Sequence, residues 1–598
     1  MSEQNSGMQE DVLSARTRYK DLVVRIWPYI AEYKWHLLFV TGLVIVHTIV
    51  GRILPNLVGY AVDNVILPKN LELLWKICAV YFSLEVLRLL MVIAETYFFQ
   101  VLGLKVIYDL RSNVYSHIQK LPIRFFDRTP VGRLVTRVTN DFSSLADLFT
   151  AGLVSVFTDS ISLIAIVGAM AFISVKLTLV VLAISPVMLW VSIWLSQKAR
   201  DTLRRLKKRL AMINSFVAEN ISGMKVIQLY VQENRHIDRF KKLNTDYRDV
   251  QLENLKYLAW LNPVLSGFNA ITVTVALYYG GMLNDQSAIA VGSLIAFLMH
   301  VQDFLSPLRN ILEKYQTFQA SLASAERIFT VLDEKQERID GKLMPAKVMG
   351  HIEFKNVHFA YTSDVGNVLE EINFSIKPGQ SIAIVGATGS GKSTIVSLLQ
   401  GFYELDTDSG GSILLDGQDV RTVHKHELRR RIGVVQQDYL VFKGTIASNI
   451  SLNDPLISRE RVRQAAIKAN CEELISKHAH GLDAEIQERG ANLSTGEKQL
   501  LSFARVLAFN PDVLILDEAT AHIDSQSEML IQQATKEVTK GRTSIIIAHR
   551  LSTILECDRI LVLDGGKLAE QGSHDELLAS GGIYNKLYNL QLSKQVAH

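Results

Sequence analysis

Two stretches in the second half of the chain carry residues suited to binding and cleaving a phosphate compound. The first, "IAIVGATGSGKST" at 382–394, is an apolar run, a glycine-rich loop and a second apolar run. It fits GxxxxGK[ST] in a strand–loop–helix setting, where backbone N–H groups and a helix N-terminus hold phosphate. The phosphate-binding residues are therefore predicted to be Gly386, Ala387, Thr388, Gly389, Ser390, Gly391, Lys392, Ser393 and Thr394.

The second stretch, "DVLILDE" at 512–518, is an apolar run that ends in two acids. Lys392 is expected at the β and γ phosphates, and Ser393 and Asp517 are expected to hold Mg²⁺, with Asp517 acting through water. Glu518 is placed to orient or deprotonate an attacking water. Adjacent acids at a strand end also occur as an ordinary solvated corner. The two stretches together predict ATP and Mg²⁺ as cofactors.

His549 closes a third apolar run, "TSIIIAH". Its position is compatible with contact to a γ-phosphate. On its own, such a residue is more often an ordinary strand-end histidine.

The elements that position these residues belong to the later part of a 598-residue chain with 48% hydrophobic residues and a net charge of +3. Such a length and hydrophobicity predict a membrane part joined to a soluble part. Past a polar stretch at 333–349, strand and helix patterns alternate, which predicts an α/β domain. Three scattered cysteines indicate neither a disulfide framework nor a zinc site.

The earlier part of the chain contains six apolar runs, each near the length that a bilayer crossing requires. They are 35–58, 75–98, 148–173, 177–196, 258–282 and 289–311. The third and fourth runs are joined by the short "ISVK" and should form a hairpin. Long connections with few helix breakers follow the second and fourth runs and predict helical arms beyond the bilayer.

Charge predicts the orientation of these runs. Segments 105–137 and 198–209 each hold seven lysine or arginine residues, whereas the loops on the opposite side hold only Lys69 and Lys176. By the positive-inside bias, the basic segments, both termini and everything after 312 are expected in the cytoplasm. A basic run of this kind is also simply a solvated or headgroup-facing surface.

With these motifs in order, the chain resembles an ABC transporter half-subunit of the exporter type over nearly its whole length. The most specific mark is "LSTGE" at 493–497, which is similar to the ABC signature LSGGQ. The resemblance implies further roles for Tyr361 on adenine, for Gln437 at Mg²⁺ and in catalysis, for Ser494 and Gly496 in the signature, for Glu488 before it, and for Asp524 in the D-loop. Segments 125–141 and 218–230 resemble the two cytoplasmic loops whose short helices dock on nucleotide-binding domains.

The family implies an organisation of four segments. These are a cytoplasmic N-terminal segment with an interfacial helix (1–34), a transmembrane exporter domain of about six spans (35–332), a linker (333–349) and an α/β P-loop ABC nucleotide-binding domain (350–598). The expected location is the inner membrane of a bacterial cell. A second half-transporter chain is implied, because one nucleotide lies between the phosphate loop of one domain and the signature of the other.

The signature departs from its consensus at two residues. Thr495 stands where the family has glycine, and Glu497 adds a negative charge near another anion, which should weaken closure unless a cation offsets it. One interpretation is tolerated family variation. The other, which we favour, is a heterodimer in which the site that uses LSTGE is the weaker one.

The cargo is less well indicated by the sequence. Glu85, Arg88 and Glu95 lie at helical spacing in the second run, Arg52 lies in the first, and Asp159, His300 and Asp303 lie in the third and sixth. Such groups either pair with each other or line a cavity for amphipathic cargo.

Three functions agree with these sequence features to different degrees. The leading one is export of hydrophobic or amphipathic compounds; the alternative is a homodimeric lipid flippase. A third class, an ABC ATPase that acts on nucleic acid or gates a channel, is disfavoured in its soluble forms by the apolar runs, and no nucleic-acid partner is expected.

Overall fold

The computed structural model describes residues 19–285, 289–345, 347–362, 366–406, 410–437, 439–517, 525–547 and 551–596. These residues form two compact units. One comprises the chain up to Gln119 together with Pro130–Lys335, and the other comprises Lys120–Thr129 together with Gln336 onwards.

The first unit is helical. Its helices are α1 (Tyr19–Ala31), α2 (Lys34–Ala61), α3 (Leu71–Ile118), α5 (Val131–Thr136), α6 (Phe142–Asp147), α7 (Leu153–Ile173), α8 (Val175–Ser222), α9 (Met224–Leu229), α10 (Glu233–Asp285) and α11 (Val291–Leu332). A short helix between α3 and α5 in the sequence, α4 (Ile123–Arg128), belongs to the second unit. Short π-helical turns at Val62–Ile66, Arg137–Asp141 and Leu148–Gly152 continue or connect them.

Five helical stretches in the described part of the chain are long and apolar enough to cross a membrane, and they include five of the six predicted runs. The remaining run, 258–282, lies in α10, which is not among the five. The predicted helical transmembrane fold is thus confirmed. Ser174 alone separates α7 from α8, so the predicted hairpin between the third and fourth runs is present as well.

Helices α3, α8 and α10 are much longer than a bilayer crossing. With 48 residues, α8 has a length of about 72 Å, against about 30 Å for the hydrocarbon core. The polar ends of α8 and α10 are linked by Arg205 to Glu253 at 2.6 Å and by Thr202 to Asn254 at 3.1 Å. These contacts join the polar parts of the two long helices.

Helices α2 and α11 approach closely at a pair of glycines. A Cβ atom on Gly59 would lie 2.5 Å from the carbonyl oxygen of Gly292, and one on Gly292 would lie 2.0 Å from that of Gly59. Asp63 Oδ1 accepts the Gly292 N–H at 2.6 Å beside this contact. Backbone contact at this crossing therefore requires glycine on both helices.

The second unit is built on two main sheets. Its strands are β1 (Ile352–Phe359), β2 (Leu369–Ile376), β3 (Ser381–Gly386), β4 (Ser412–Leu415), β5 (Gln418–Asp419), β6 (Ile432–Val435), β7 (Gly444–Thr445), β8 (Glu485–Ile486), β9 (Val513–Asp517), β10 (Thr543–Ile547), β11 (Arg559–Asp564) and β12 (Lys567–Gly572). The larger sheet has the order β12-β11-β3-β10-β9-β6, with β11, β3, β10, β9 and β6 parallel, and the smaller sheet has the order β2-β1-β4-β5.

Helices cover these sheets. They are α12 (Lys392–Leu399), α13 (Lys425–Arg431), α14 (Ile446–Ser451), α15 (Arg459–Lys468), α16 (Glu472–Ser476), α17 (Thr495–Phe509), α18 (Ser525–Thr539), α19 (Leu551–Leu555), α20 (His574–Ala579) and α21 (Ile583–Val596). Short 3₁₀ turns lie at Gly481–Asp483 and Glu488–Gly490.

The central parallel strands β3, β9 and β10 of the larger sheet are buried on both faces, as is typical of parallel sheets. Along β3, Ile382 and Ile384 belong to one hydrophobic cluster while Ala383 and Val385 belong to the other. The same alternation continues along β9 and β10. These strands therefore read as unbroken apolar runs in the sequence, and their position is fixed from both sides.

The polar stretch before the first strand is fastened to the second unit by charge. Glu337 forms a two-fold ion pair with Arg429, at 2.6 and 2.8 Å, and lies 3.6 Å from Lys425. Burial alone would raise the pKa of Glu337, but the two cations outweigh burial and lower it. The carboxylate is therefore ionised at neutral pH and ties this stretch to α13.

Replacing Gly59 with alanine should separate α2 from α11, because the new methyl group would meet the Gly292 backbone. Overpacking of this kind costs about 1–3 kcal/mol. All six tryptophans lie at or before Trp260, so the thermal unfolding of the first unit can be followed by tryptophan fluorescence. We expect a lower Tm for Gly59→Ala. Gly42→Ala on the same helix, where nothing lies within 4 Å, is the control; equal Tm values for the two variants would contradict this packing.

Candidate functional site

The parallel sheet brings the ends of its strands to one edge. The glycine-rich loop follows β3, Asp517 ends β9, and Gln437 lies two residues after β6. Because parallel strands end on the same side, the loop, the acid and the amide converge there. The predicted strand–loop–helix arrangement is present, since β3 ends at Gly386 and α12 begins at Lys392.

The loop requires glycine at its junction with α12. Gly391 has a φ of +98°, a left-handed conformation that other residues rarely adopt, and a Cβ there would lie 2.5 Å from Leu369 Cδ2. The turn lets the chain enter α12 directly from the loop. Backbone N–H groups at the N-terminus of α12 are consequently available to an anion.

Lys392 lies folded over this loop. Its Nζ donates to the carbonyl oxygens of Gly386 and Ala387, both at 2.8 Å. Burial lowers the pKa of Lys392, and the nearby Asp517 carboxylate opposes that shift. The ammonium and the carboxylate are thus close enough to interact, which the sequence could only suggest from two separate motifs.

The neighbouring hydroxyls differ in exposure. Ser390 Oγ is buried without a hydrogen-bond partner among the described residues, and such an atom is expected to find one in a bound ligand. Ser393 is exposed at the start of α12. A serine hydroxyl, the Gln437 amide and the Asp517 carboxylate offer the hard oxygen ligands that Mg²⁺ prefers, so the donor set fits the predicted ion.

Three predicted residues lie outside the described part of the chain. They are Glu518, Asp524 and His549. In the sequence, Glu518 directly follows β9 and His549 lies two positions after β10.

The predicted adenine-contacting residue, Tyr361, is fixed by an aromatic cluster. Its hydroxyl lies 3.0 Å from Thr394 Oγ1 on α12, and its ring packs edge-on against Tyr403 with centroids 4.9 Å apart. Tyr403 in turn donates a hydrogen bond to Asp127 of α4. The nucleotide loop and the short helix of the first predicted cytoplasmic segment are therefore joined through two tyrosines.

The second predicted cytoplasmic segment has a different surface. Helix α9 (Met224–Leu229) and the residues after it expose apolar side chains, including Val226 at 59%, Leu229 at 72%, Tyr230 at 68% and Val231 at 78%. Four such side chains in six residues form an apolar patch of the kind that marks an interaction surface.

The signature begins a helix. Ser494 is the N-cap of α17: its Oγ accepts the Glu497 N–H at 3.2 Å, while Glu497 Oε2 accepts the Ser494 N–H at 2.9 Å. This reciprocal pair is a capping box. Thr495 is the first helical residue and so needs no left-handed backbone, and Gly496 is buried. The consensus glycine at 495 is therefore not required for backbone conformation.

Several of the charged groups in the membrane-type helices contact a polar side chain. Glu85 pairs with Arg88, Arg52 with Asp303 at 3.0 Å, and Glu95 accepts from Thr158 at 2.8 Å. Glu95 also lies 3.2 Å from His47 on α2. Glu85, Arg88 and Glu95 all lie on α3, and the buried Glu95 contacts the half-buried Thr158 and His47, which favours the pairing interpretation for these groups.

Sequence reasoning missed Tyr403, Asp127 and Lys477, which lies 3.3 Å from Glu497. None belongs to a recognisable spacing pattern. Asp127 comes from a segment more than 200 residues before the strand edge, so only folding brings it near Tyr403. An aromatic or a lysine in a polar loop gives no separate signal in a single sequence.

Gly391→Ala should weaken ATP binding strongly. The left-handed conformation costs a non-glycine residue about 1–2 kcal/mol, and the clash with Leu369 adds to that, so we expect at least a roughly tenfold loss of affinity. Binding of a fluorescent ATP analogue to the full chain measures the change. Gly379→Ala is the matched control, since Gly379 also has positive φ (+75°) but faces open space. Unchanged affinity in Gly391→Ala would contradict the assigned loop.

Comparison with known proteins agrees with this geometry. The family described as "ABC transporter transmembrane region" matches residues 37–308, and the family described as "ABC transporter" matches residues 369–521. The Bacillus subtilis (strain 168) protein "Uncharacterized ABC transporter ATP-binding protein YknV" is 37% identical over 577 residues, which cover 96% of this chain and 95% of that protein.

Two further proteins extend the comparison. The Bacillus subtilis (strain 168) protein "Probable multidrug resistance ABC transporter ATP-binding/permease protein YheH" is 38% identical over 500 residues, or 83% of this chain and 74% of that protein. The solved "Structure of a bacterial Atm1-family ABC exporter with ATP bound" matches with a TM-score of 0.76 at 27% identity and covers 94% of this chain and 99% of that chain. The chain therefore belongs to the ABC transporter family, as an exporter half-transporter whose helical transmembrane domain is followed by an ATP-hydrolysing domain.

Proposed function

We propose that the protein exports hydrophobic or amphipathic compounds by alternating access, driven by ATP binding and hydrolysis. The observation that carries the proposal is the pairing, in one chain, of a phosphate loop beside an acidic strand end with long apolar helices that continue as polar arms. The relative YheH, which is 38% identical, is named as a probable multidrug resistance transporter, and this supports multidrug-type cargo.

Phosphoryl transfer depends on positioning and charge neutralisation, and each residue of the site has its own role in it. Tyr361 stacks on the base, and the loop from Gly386 to Thr394 binds the phosphates, with Lys392 moving from its carbonyl partners to the β and γ phosphates. Glu518 orients the attacking water, Gln437 senses Mg²⁺, and His549 contacts the γ-phosphate.

Mg²⁺ belongs to the same proposal. Ser393, Gln437 and Asp517 are the residues that would hold it. When bound, the ion neutralises charge on the phosphates.

We further propose that a second chain completes each site. In this arrangement Ser494, Gly496 and Asp524 face the nucleotide of the other chain. The exposed apolar patch around α9 is suited to a partner's nucleotide-binding domain, while α4 docks on its own. An unlike partner is favoured because Thr495 and Glu497 depart from the consensus; two identical chains forming a lipid flippase are the alternative.

The same proposal places 35–332 as the transmembrane domain, 333–349 as the linker and 350–598 as the nucleotide-binding domain. The cell inner membrane is the expected location, on the basis of the bacterial relatives, and the charge bias of the loops sets the orientation. The N-terminal segment and the nucleotide-binding domain then lie in the cytoplasm.

Inside-out membrane vesicles that contain the assembled transporter should accumulate the dye ethidium when Mg-ATP is added. The dye is a hydrophobic cation of the proposed class, and uptake requires hydrolysis, so Glu518→Gln should reduce accumulation to background. Fluorescence of the vesicles measures uptake. Dye movement that needs no ATP would indicate a channel, and ATP-dependent movement of labelled phospholipid without dye transport would indicate a flippase; either result contradicts the proposal.

A further inference from the structure

The signature of this chain carries a fixed negative charge. Glu497 cannot turn away from Ser494 without breaking the capping box, because its own carboxylate accepts the Ser494 N–H. Its side chain is only 19% exposed. A carboxylate is thus held beside the hydroxyl that is assigned to the partner's nucleotide.

This carboxylate remains ionised. Burial would raise the pKa of Glu497, but the hydrogen bonds from Ser494 and the contact with Lys477 outweigh burial and lower it. An ionised group at the N-terminus of α17 opposes the attraction that this helix end offers to a phosphate. With the consensus glutamine in place of Glu497, the same capping box would form without a charge.

Lys477 supplies the opposite charge from another element. It follows α16, and its Nζ lies 3.3 Å from Glu497 Oε1 and 3.1 Å from Glu473 Oε1. The lysine side chain is 54% exposed. Exposed ion pairs contribute little to folding stability, so the pair has more effect on local charge than on the fold.

We propose that Lys477 is a positioning residue that offsets the charge of Glu497 and so allows the LSTGE signature to accept the nucleotide of the partner chain. The inference rests on the proposed role of Ser494 and Gly496 at that nucleotide. It assigns to this chain a compensating pair, lysine with glutamate, in place of the neutral consensus glutamine.

The test uses the transporter purified through a tag on this chain, together with the partner it retains. Mg-ATPase activity is measured against ATP concentration for Lys477→Met, Glu497→Gln and the double variant. We expect Lys477→Met to raise the ATP concentration for half-maximal turnover by roughly 3- to 10-fold, because an uncompensated charge then faces the γ-phosphate. In the double variant, the ATP concentration for half-maximal turnover should lie within about twofold of the wild-type value, since charge balance is restored.

Three controls separate the possible explanations. Lys477→Arg keeps the charge and should behave like the wild type. Lys536→Met removes an exposed lysine whose partner Glu556 lies 2.7 Å away in the same unit, and it should have no effect. Gly496→Asp should abolish signature function and so reports on the role of the signature itself.

The outcomes are distinguishable. If Gly496→Asp impairs turnover but Lys477→Met does not, the charge-compensation proposal is wrong and the role of the signature stands. If Glu497→Gln fails to rescue Lys477→Met, Lys477 acts through structure rather than charge, which also overturns the proposal. If Gly496→Asp has no effect, the proposed role of the signature fails, and the inference fails with it.

Discussion

The nucleotide-binding half depends on one constraint: the negative charge of a polyphosphate must be met by donors that are fixed before it arrives. A parallel sheet buried on both faces provides this, because β3, β9 and β6 cannot shift relative to one another without exposing apolar side chains. The strand ends then place Lys392, Asp517 and Gln437 at one edge. The other local features, such as the left-handed Gly391 and the buried Ser390 hydroxyl, refine this arrangement.

The same constraint applies to the signature, which is the other part of the proposed site. A signature must present donors to an anion, yet here it contains a carboxylate. The capping box uses that carboxylate to order the helix start, and Lys477 lies close enough to offset its charge. Glu497 therefore has both a structural role and a nearby cation, while the unlike partner is still expected to supply the stronger signature.

Periodic and local features were predictable from the sequence. The apolar runs predicted the helical membrane domain, and the glycine loop with its flanking runs predicted β3 and α12. Each of these elements depends on a pattern within about 20 residues. The exact domain limits and the roles of Glu518, His549 and Asp524 stay predictions.

Other features depend on residues far apart in the sequence. The Tyr403–Asp127 contact, the Gly59–Gly292 crossing and the Lys477–Glu497 pair each need the complete fold. The hydrogen bond that Glu95 accepts from Thr158 also joins two helices, which spacing within one helix does not predict.

The central claim is that each ATP site needs the signature of another, unlike chain. The most direct measurement is the Mg-ATPase activity of this chain alone, purified and reconstituted in nanodiscs, with Glu518→Gln as the background. We expect folded protein that binds ATP but shows no turnover above that background. Turnover by the chain alone that disappears in Glu518→Gln would contradict the unlike partner, because two copies of LSTGE would then be sufficient.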